Sequence, residues 1–240
     1  MNQQELVASL IPNRAPEPAT RVVIGVNWTL VDSATGTGLV HTPVKSQQGC
    51  VPIPEAGTLT GRPLRELMDL TTDPNPIARA VGFAALNAYW NRRDMTGVSA
   101  NGLDLVEDRG HKTVIIGRFP RLDQRVPGAA VIERNPGPND FPEEAAKTLI
   151  PGAEFLVITA STLSNGALAG LLALRRNAFT ILVGPGTPLS PALFDKGIDV
   201  LAGLRVDDPE QAARAVMEGG AEKAIRPSGQ MISLTRNQRA

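Results

Sequence analysis

Residues 154–203 read EFLVITASTLSNGALAGLLALRRNAFTILVGPGTPLSPALFDKGIDVLAG. Three short apolar runs stand out in this stretch, EFLVITA at 154–160, FTILVG at 179–184 and IDVLAG at 198–203. Each is too short for a helix and dense in β-branched residues, which fits a strand buried on both faces. Between them lie NGALAGLLALRR, with apolar residues at helical spacing, and the shorter SPALFDKG. Strands alternating with helices specify βαβ units and a parallel sheet.

Upstream, TVIIG at 113–117 and GAAVIER at 128–134 extend the series to five parallel strands, and PEEAAKTLI supplies another covering helix. NGLDLVEDRG, ahead of the first strand, reads as a short helix. Downstream, DPEQAARAVMEGG reads as a capped helix and QMISL as a further strand.

The pattern changes near residue 100. Before it, the first dozen residues predict a short amphipathic helix ending at Pro12, and a proline-rich link leads to RVVIGVNWTLVD, read as one strand. SATGTG is a turn, and LVHTPV is the returning strand of a hairpin; residues 45–60 show no period. PLRELMDL and NPIARAVGFAALNAYWNR predict two helices, the second opened by Asp73-Pro74-Asn75-Pro76 and carrying Ile77, Val81, Ala84, Ala85 and Ala88 on one stripe. The sequence thus predicts a small α+β domain over residues 1–100 and a Rossmann-like α/β domain over 101–240.

Composition narrows the function. Lys plus Arg number 24 and Asp plus Glu number 24, so a neutral chain offers no long-range attraction to nucleic acid. No run is long and apolar enough for a membrane helix, and MNQQELVASLIPNR lacks the pattern of a secretory leader, which predicts a cytoplasmic protein. One cysteine, Cys50, and two histidines, His41 and His111, cannot build a closed Cys/His zinc site in one chain. These three residues read more readily as structural than as ligands. A bound metal would lean on oxygen donors, a chelator or a second subunit.

In an open parallel sheet, ligands bind beyond the carboxyl ends of the strands. The loop Gly117-Arg118-Phe119-Pro120 follows the first strand, without the glycines of a dinucleotide fingerprint. Gly117 serves as a strand end or a ligand contact, and Arg118 suits a carboxylate or phosphate. Glu133 closes the second strand, where an acid can meet a ribose hydroxyl or simply be solvated. Asn135 opens a Pro/Gly-rich loop in which Asn139 and Asp140 read as turn formers. Ser161, Thr162, Ser164 and Asn165 exceed the polar groups one helix cap needs and suit an anion. Gly184, Pro185, Gly186, Thr187 and Ser190 form a stiff loop whose glycines let a ligand approach the backbone. Asn87, a lone amide on an apolar helix, needs a partner in the neighbouring domain or in a cleft.

Together, WTLVDSATGTGL, GFAALNAYWN, VIIGRFP, ERNPGPNDFP, ITASTLSNGAL and LVGPGTPLSPALFDKGIDVLAG resemble the putative heavy-metal chelation family. The resemblance spans most of the chain, and the last segment is the most specific. It implies an enolase N-terminal-like domain followed by a Rossmann-like domain, with a ligand in the cleft between them. The matching positions are Asn87, Gly117, Phe119, Pro120, Glu133, Thr162, Asn165 and the Gly184–Ser190 loop. The resemblance further implies a transition metal or metal chelate as ligand, a homodimer, and a functional link to a metal-uptake transporter.

Two functions compete on these residues. One is binding or processing of a small anionic or metal-chelating molecule in the cleft. The other is an enzyme holding an adenosine-containing cofactor at Glu133. No Ser-His-Asp order or GxSxG elbow is present, so catalysis stays open.

Overall fold

The computed structural model describes residues 1–43, 52–53, 55–99 and 102–236. Cys50 lies outside them. The first half holds helix α1 (Gln3–Ala8), strands β1 (Ala19–Ile24), β2 (Trp28–Ser33) and β3 (Thr37–His41), and helices α2 (Leu64–Met68) and α3 (Pro76–Trp90). The second half runs β4 (Thr113–Ile116), α4 (Leu122–Arg125), β5 (Ala130–Glu133), β6 (Phe141–Pro142), α5 (Ala146–Leu149), β7 (Phe155–Thr159), α6 (Ser161–Asn165) and α7 (Leu168–Leu174). It closes with β8 (Phe179–Val183), β9 (Val200–Val206), α8 (Pro209–Met217), α9 (Glu222–Ile225) and β10 (Gly229–Thr235). No helix of the described residues is long and apolar enough to cross a membrane.

The large sheet has the order β10-β9-β8-β7-β4-β5-β6 and is parallel except for β10. All five expected parallel strands are present, and the QMISL strand pairs antiparallel at the edge. The chain enters at β4, builds outward through β5 and β6, then crosses to β7 on the other side. The strand order therefore reverses between β4 and β7, which opens a crevice at their carboxyl ends.

Alternation along each strand divides the core into two layers. Val114, Ile116, Leu156, Ile158 and Leu182 pack to one face with α1, α2, α3 and α7. Ile115, Val157, Ile181 and Val183 pack to the other with α8 and α9. Both faces are covered, so the strands read as continuous apolar runs.

Three sequence expectations need correction. RVVIGVNWTLVD is two strands, making the small sheet a three-stranded antiparallel meander. Gly25 N–H bonds to Trp28 O at 2.9 Å to close the turn, Asn27 Nδ2 is tied to Gly219 O at 2.7 Å, and Val26 is left 80% exposed. A β-branched run concealed that turn. PEEAAKTLI is broken into a 3-10 turn, α5 and a second 3-10 turn. The described residues of NGLDLVEDRG form a single 3-10 turn over Gly102–Leu105.

Helix α3 begins as the sequence indicates, with Asn75 Oδ1 accepting the Ile77 N–H at 2.9 Å and Pro76 in the first turn. Its apolar stripe is a poor description, however, because every residue from Ala80 to Ala88 is buried. The meander covers one side of α3 and the large sheet's loops the other. Small residues make this possible. A Cβ on Gly38 of β3 would lie 1.9 Å from Ala84 O and 2.3 Å from Ala88 N, so strand and helix touch backbone to backbone.

Candidate functional site

The crevice between β4 and β7 is roofed by β3 and α3 of the first half. Two adjoining cavities fill it, one of about 720 Å³ and one of about 520 Å³. His41, Arg118, Thr159, Ser161 and Ser164 line both. They form the junction of one two-lobed cleft.

Gly117 ends β4 with φ of +96°, and a Cβ there would lie 2.7 Å from Thr159 Cγ2 on β7. The crevice therefore begins where only glycine fits comfortably. The next residue, Arg118, donates its backbone N–H to Glu133 Oε1 at 2.5 Å, while Arg134 N–H bonds to Glu133 Oε2 at 3.2 Å. Glu133 thus holds the ends of β4 and β5 in register and still lines the larger lobe.

The Arg118 side chain is already matched by carboxylates of the chain. It bonds to Asp140 through Nη2 at 2.5 Å and Nε at 3.3 Å, and to Asp123 through Nη1 at 3.1 Å. The Asp140 side chain is almost wholly buried and also accepts the Gly137 N–H at 3.0 Å. The Arg118 guanidinium, aided by Gly137, holds the Asp140 carboxyl below its ordinary range against the opposing effect of burial. Arg118 is therefore a clamp on the 134–140 loop rather than a vacant anion receptor. Asp140 is the turn former the sequence suggested.

The Ser161–Asn165 segment, expected as a loop before a helix, is itself a one-turn helix closed by Gly166 at φ +91°. Its hydroxyls are spent locally. Thr162 Oγ1 donates to Thr159 O at 2.7 Å and Ser164 Oγ to Ser161 O at 3.1 Å. Asn165 Oδ1 accepts the Ala167 N–H at 3.0 Å. Thr162 and Ser164 consequently offer the cleft lone pairs more readily than protons, so an anion at this helix start loses its motivation. Ser161 Oγ lies 3.3 Å from Thr159 Oγ1.

Asn87 is buried and joins the two halves. Its Nδ2 donates to Leu39 O and to Gly186 O, each at 2.9 Å, while its Oδ1 has no hydrogen-bond partner. One turn on, Asn91 donates to Thr187 O and Leu204 O and accepts the Leu189 N–H. Those bonds draw the 184–190 loop onto α3. Gly184, Pro185 and Gly186 then line the smaller lobe, whereas Thr187 and Ser190 are fully buried and line neither lobe. This corrects the ligand-facing expectation for both hydroxyls. Phe119 and Pro120 line the smaller lobe, and Asn135, Thr162 and Asn165 the larger.

His41, which reads as structural in the sequence, lines the junction of the lobes, where its ring packs edge-on against Trp28 at 5.9 Å. Nothing local marks it, since its importance comes from β3 crossing the crevice. Arg121 and Arg226 of the smaller lobe were missed. Arg121 adjoins the singled-out Phe119-Pro120, but Arg226 sits in a segment with no motif. His111 is remote, packed edge-on against Phe141 at 5.3 Å. Among the described residues, no three of His, Cys, Asp and Glu cluster so as to hold a metal ion.

Solved structures share this architecture. A crystal structure of a protein of unknown function from Desulfitobacterium hafniense DCB-2 is 27% identical, with a TM-score of 0.85 over 97% of this chain and 98% of that one. A second protein of unknown function, from Pyrococcus horikoshii, is 19% identical with a TM-score of 0.78 over 97% of each chain, a likeness of fold. No curated protein matches. Two family models, both described as putative heavy-metal chelation, match residues 8–90 and 101–235, and the two solved relatives belong to the family matched by the second. With the match covering the parallel-sheet half and the same description recurring over the first half, the chain belongs to the putative heavy-metal chelation family.

Proposed function

We propose that the chain binds a small anionic molecule carrying a metal ion, as a ready-made chelate, in the two-lobed cleft between its halves. The observation that carries this reading is the donor set. Two roomy lobes meet at one imidazole, His41, with hydroxyls around it, and no cluster of three ligating side chains occurs among the described residues. A bare soft metal needs three or four protein donors, whereas a chelated one needs at most a vacant position filled. His41 suits that last position, and the lobes suit the organic part.

An adenosine-containing cofactor is less well served. Glu133, the residue that would hold its ribose, already accepts two backbone N–H groups, and Gly117 is not followed by further phosphate-approach glycines.

The test is thermal unfolding with ferric or nickel citrate, the metal salt alone, citrate alone, and adenosine cofactors. A chelate at about a hundred times its dissociation constant stabilises by roughly 2.7 kcal/mol, a rise of about 5–10 °C for a chain of this size. The expected pattern is stabilisation by the chelate beyond either component, diminished in His41→Ala. Stabilisation by an adenosine cofactor alone would transfer the cleft to nucleotide chemistry.

A further inference from the structure

The two lobes are chemically unlike. The larger sets Glu133, Glu143, Asn135 and the hydroxyls of α6 beside Arg79, Arg118 and Arg134, and carries no Trp or Phe among the described residues. Among the described residues the smaller carries Trp28, Phe83 and Phe119 beside four arginines, with Glu222 the one carboxylate. Two of those arginines are matched within the chain, Arg118 by Asp123 and Asp140, and Arg125 by Asp104. The side chains of Arg121 and Arg226 have no hydrogen-bond or ion-pair partner among the described residues. Arg121 is moreover held at φ +60°, a conformation that a non-glycine residue adopts at a cost and that recurs at ligand sites. Asn87 lines the same lobe and leaves its buried Oδ1 without a donor.

The two unpartnered guanidinium groups suit a carboxylate, which each can take bidentately. A phosphate cradle uses several free backbone N–H groups. Here Pro120 and Pro185 have none and Gly184 N–H is spent on Ala202 O at 3.1 Å, so the 184–185 edge of the lobe offers no such cradle. The aromatic walls call for a flat apolar body.

We propose that the smaller lobe binds an aromatic carboxylate bearing a hydroxyl or amino group. Its ring lies against Trp28 and Phe119, its carboxylate pairs with Arg121 and Arg226, and its O–H or N–H bonds to Asn87 Oδ1. This rests on the chelate reading, since it assigns the organic part of the chelate to this lobe, but it is testable without metal.

The experiment titrates the full chain with metal-free salicylate, following heat and tryptophan fluorescence. Trp28 is in the lobe, whereas Trp90 lies apart with its Nε1–H on Leu10 O. Salicylate is expected to quench fluorescence in the native chain and not in Trp28→Phe, and to bind at least tenfold more tightly than cyclohexanecarboxylate. Arg226→Gln and Arg121→Gly should each weaken binding at least tenfold; glycine takes the left-handed conformation freely, so the second variant keeps its fold. No salicylate binding at millimolar concentration, affinity unchanged in both arginine variants, or preference for AMP would overturn the assignment. Ferric citrate, which has no ring, separates the two readings. If it binds and salicylate does not, the lobe assignment fails and the chelate reading stands. If salicylate binds and no chelate does, the lobe assignment stands and the chelate reading fails.

Discussion

Asn91 touches neither lobe of the cleft, yet it makes three buried hydrogen bonds from α3 to the far half. Asn91→Ala leaves two carbonyls and one N–H without that partner, and should cost roughly 2–4 kcal/mol, read from the denaturation midpoint. Asp140 behaves differently because its charge matters. Its carboxyl is held low in the folded chain, so stability from it is complete above its unfolded value of about 3.9 and is lost as the pH falls through the folded value. Asp140→Asn should therefore be less stable at neutral pH and show a flatter decline below about pH 4 than the native chain. An equally steep acid limb in the variant would show that Arg118 does not hold this carboxyl. Single residues were legible where their chemistry was anomalous in place. Asn87 is an amide in an alanine helix and Glu133 an acid on an apolar strand. His41, Arg121, Arg226 and Asn91 look ordinary in sequence; Asn91 acquires meaning through partners 96 or more positions away, and the other three through the cleft that folding gathers around them.

Elements were legible in proportion to their length and burial. The five parallel strands announce themselves because both faces are covered, which leaves an unbroken apolar run between glycine-rich ends. Two-residue β6 and four-residue α4 and α9 are too short for any period to register. The meander was read as a hairpin because its first turn contains an exposed valine. What fixes that meander against α3 is the absence of a side chain. Gly38→Ala would set a methyl 1.9 Å from Ala84 O and 2.3 Å from Ala88 N, and neither is a flexible tip that can swing away. The strand must lift from the helix, at a cost of about 3 kcal/mol or more. Because β3 also carries His41, the same variant should lose chelate binding out of proportion to its lost secondary structure. Circular dichroism beside a binding titration checks this.

At the scale of the whole molecule, a break in pattern near residue 100 suggests two units, and the two family models match residues 8–90 and 101–235. The apolar interior does not follow that division. One continuous cluster runs from Leu6, Leu64, Val81 and Leu86 of the first half to Val114, Leu156, Leu168 and Leu189 of the second. At the amino terminus, Gln3 Nε2 donates to Leu163 O and Gln3 Oε1 accepts the Ala169 N–H, tying α1 to the far half around α6 and α7. Residues 101–235 produced alone would expose the face of the sheet that α1, α2 and α3 cover. A cleft built from both halves, with a shared core beneath it, should unfold as one cooperative body. Calorimetry of the full chain should show a single transition of about 170 kcal/mol near 60 °C, with the van't Hoff enthalpy equal to the calorimetric one. Two resolved transitions, or a van't Hoff enthalpy near half the calorimetric value, would mean that the halves melt separately. The cleft would then be an interface that can open, and ligand should raise the two transitions by unequal amounts. If the single transition holds, a chelate bound to both walls should shift the whole endotherm upward without splitting it.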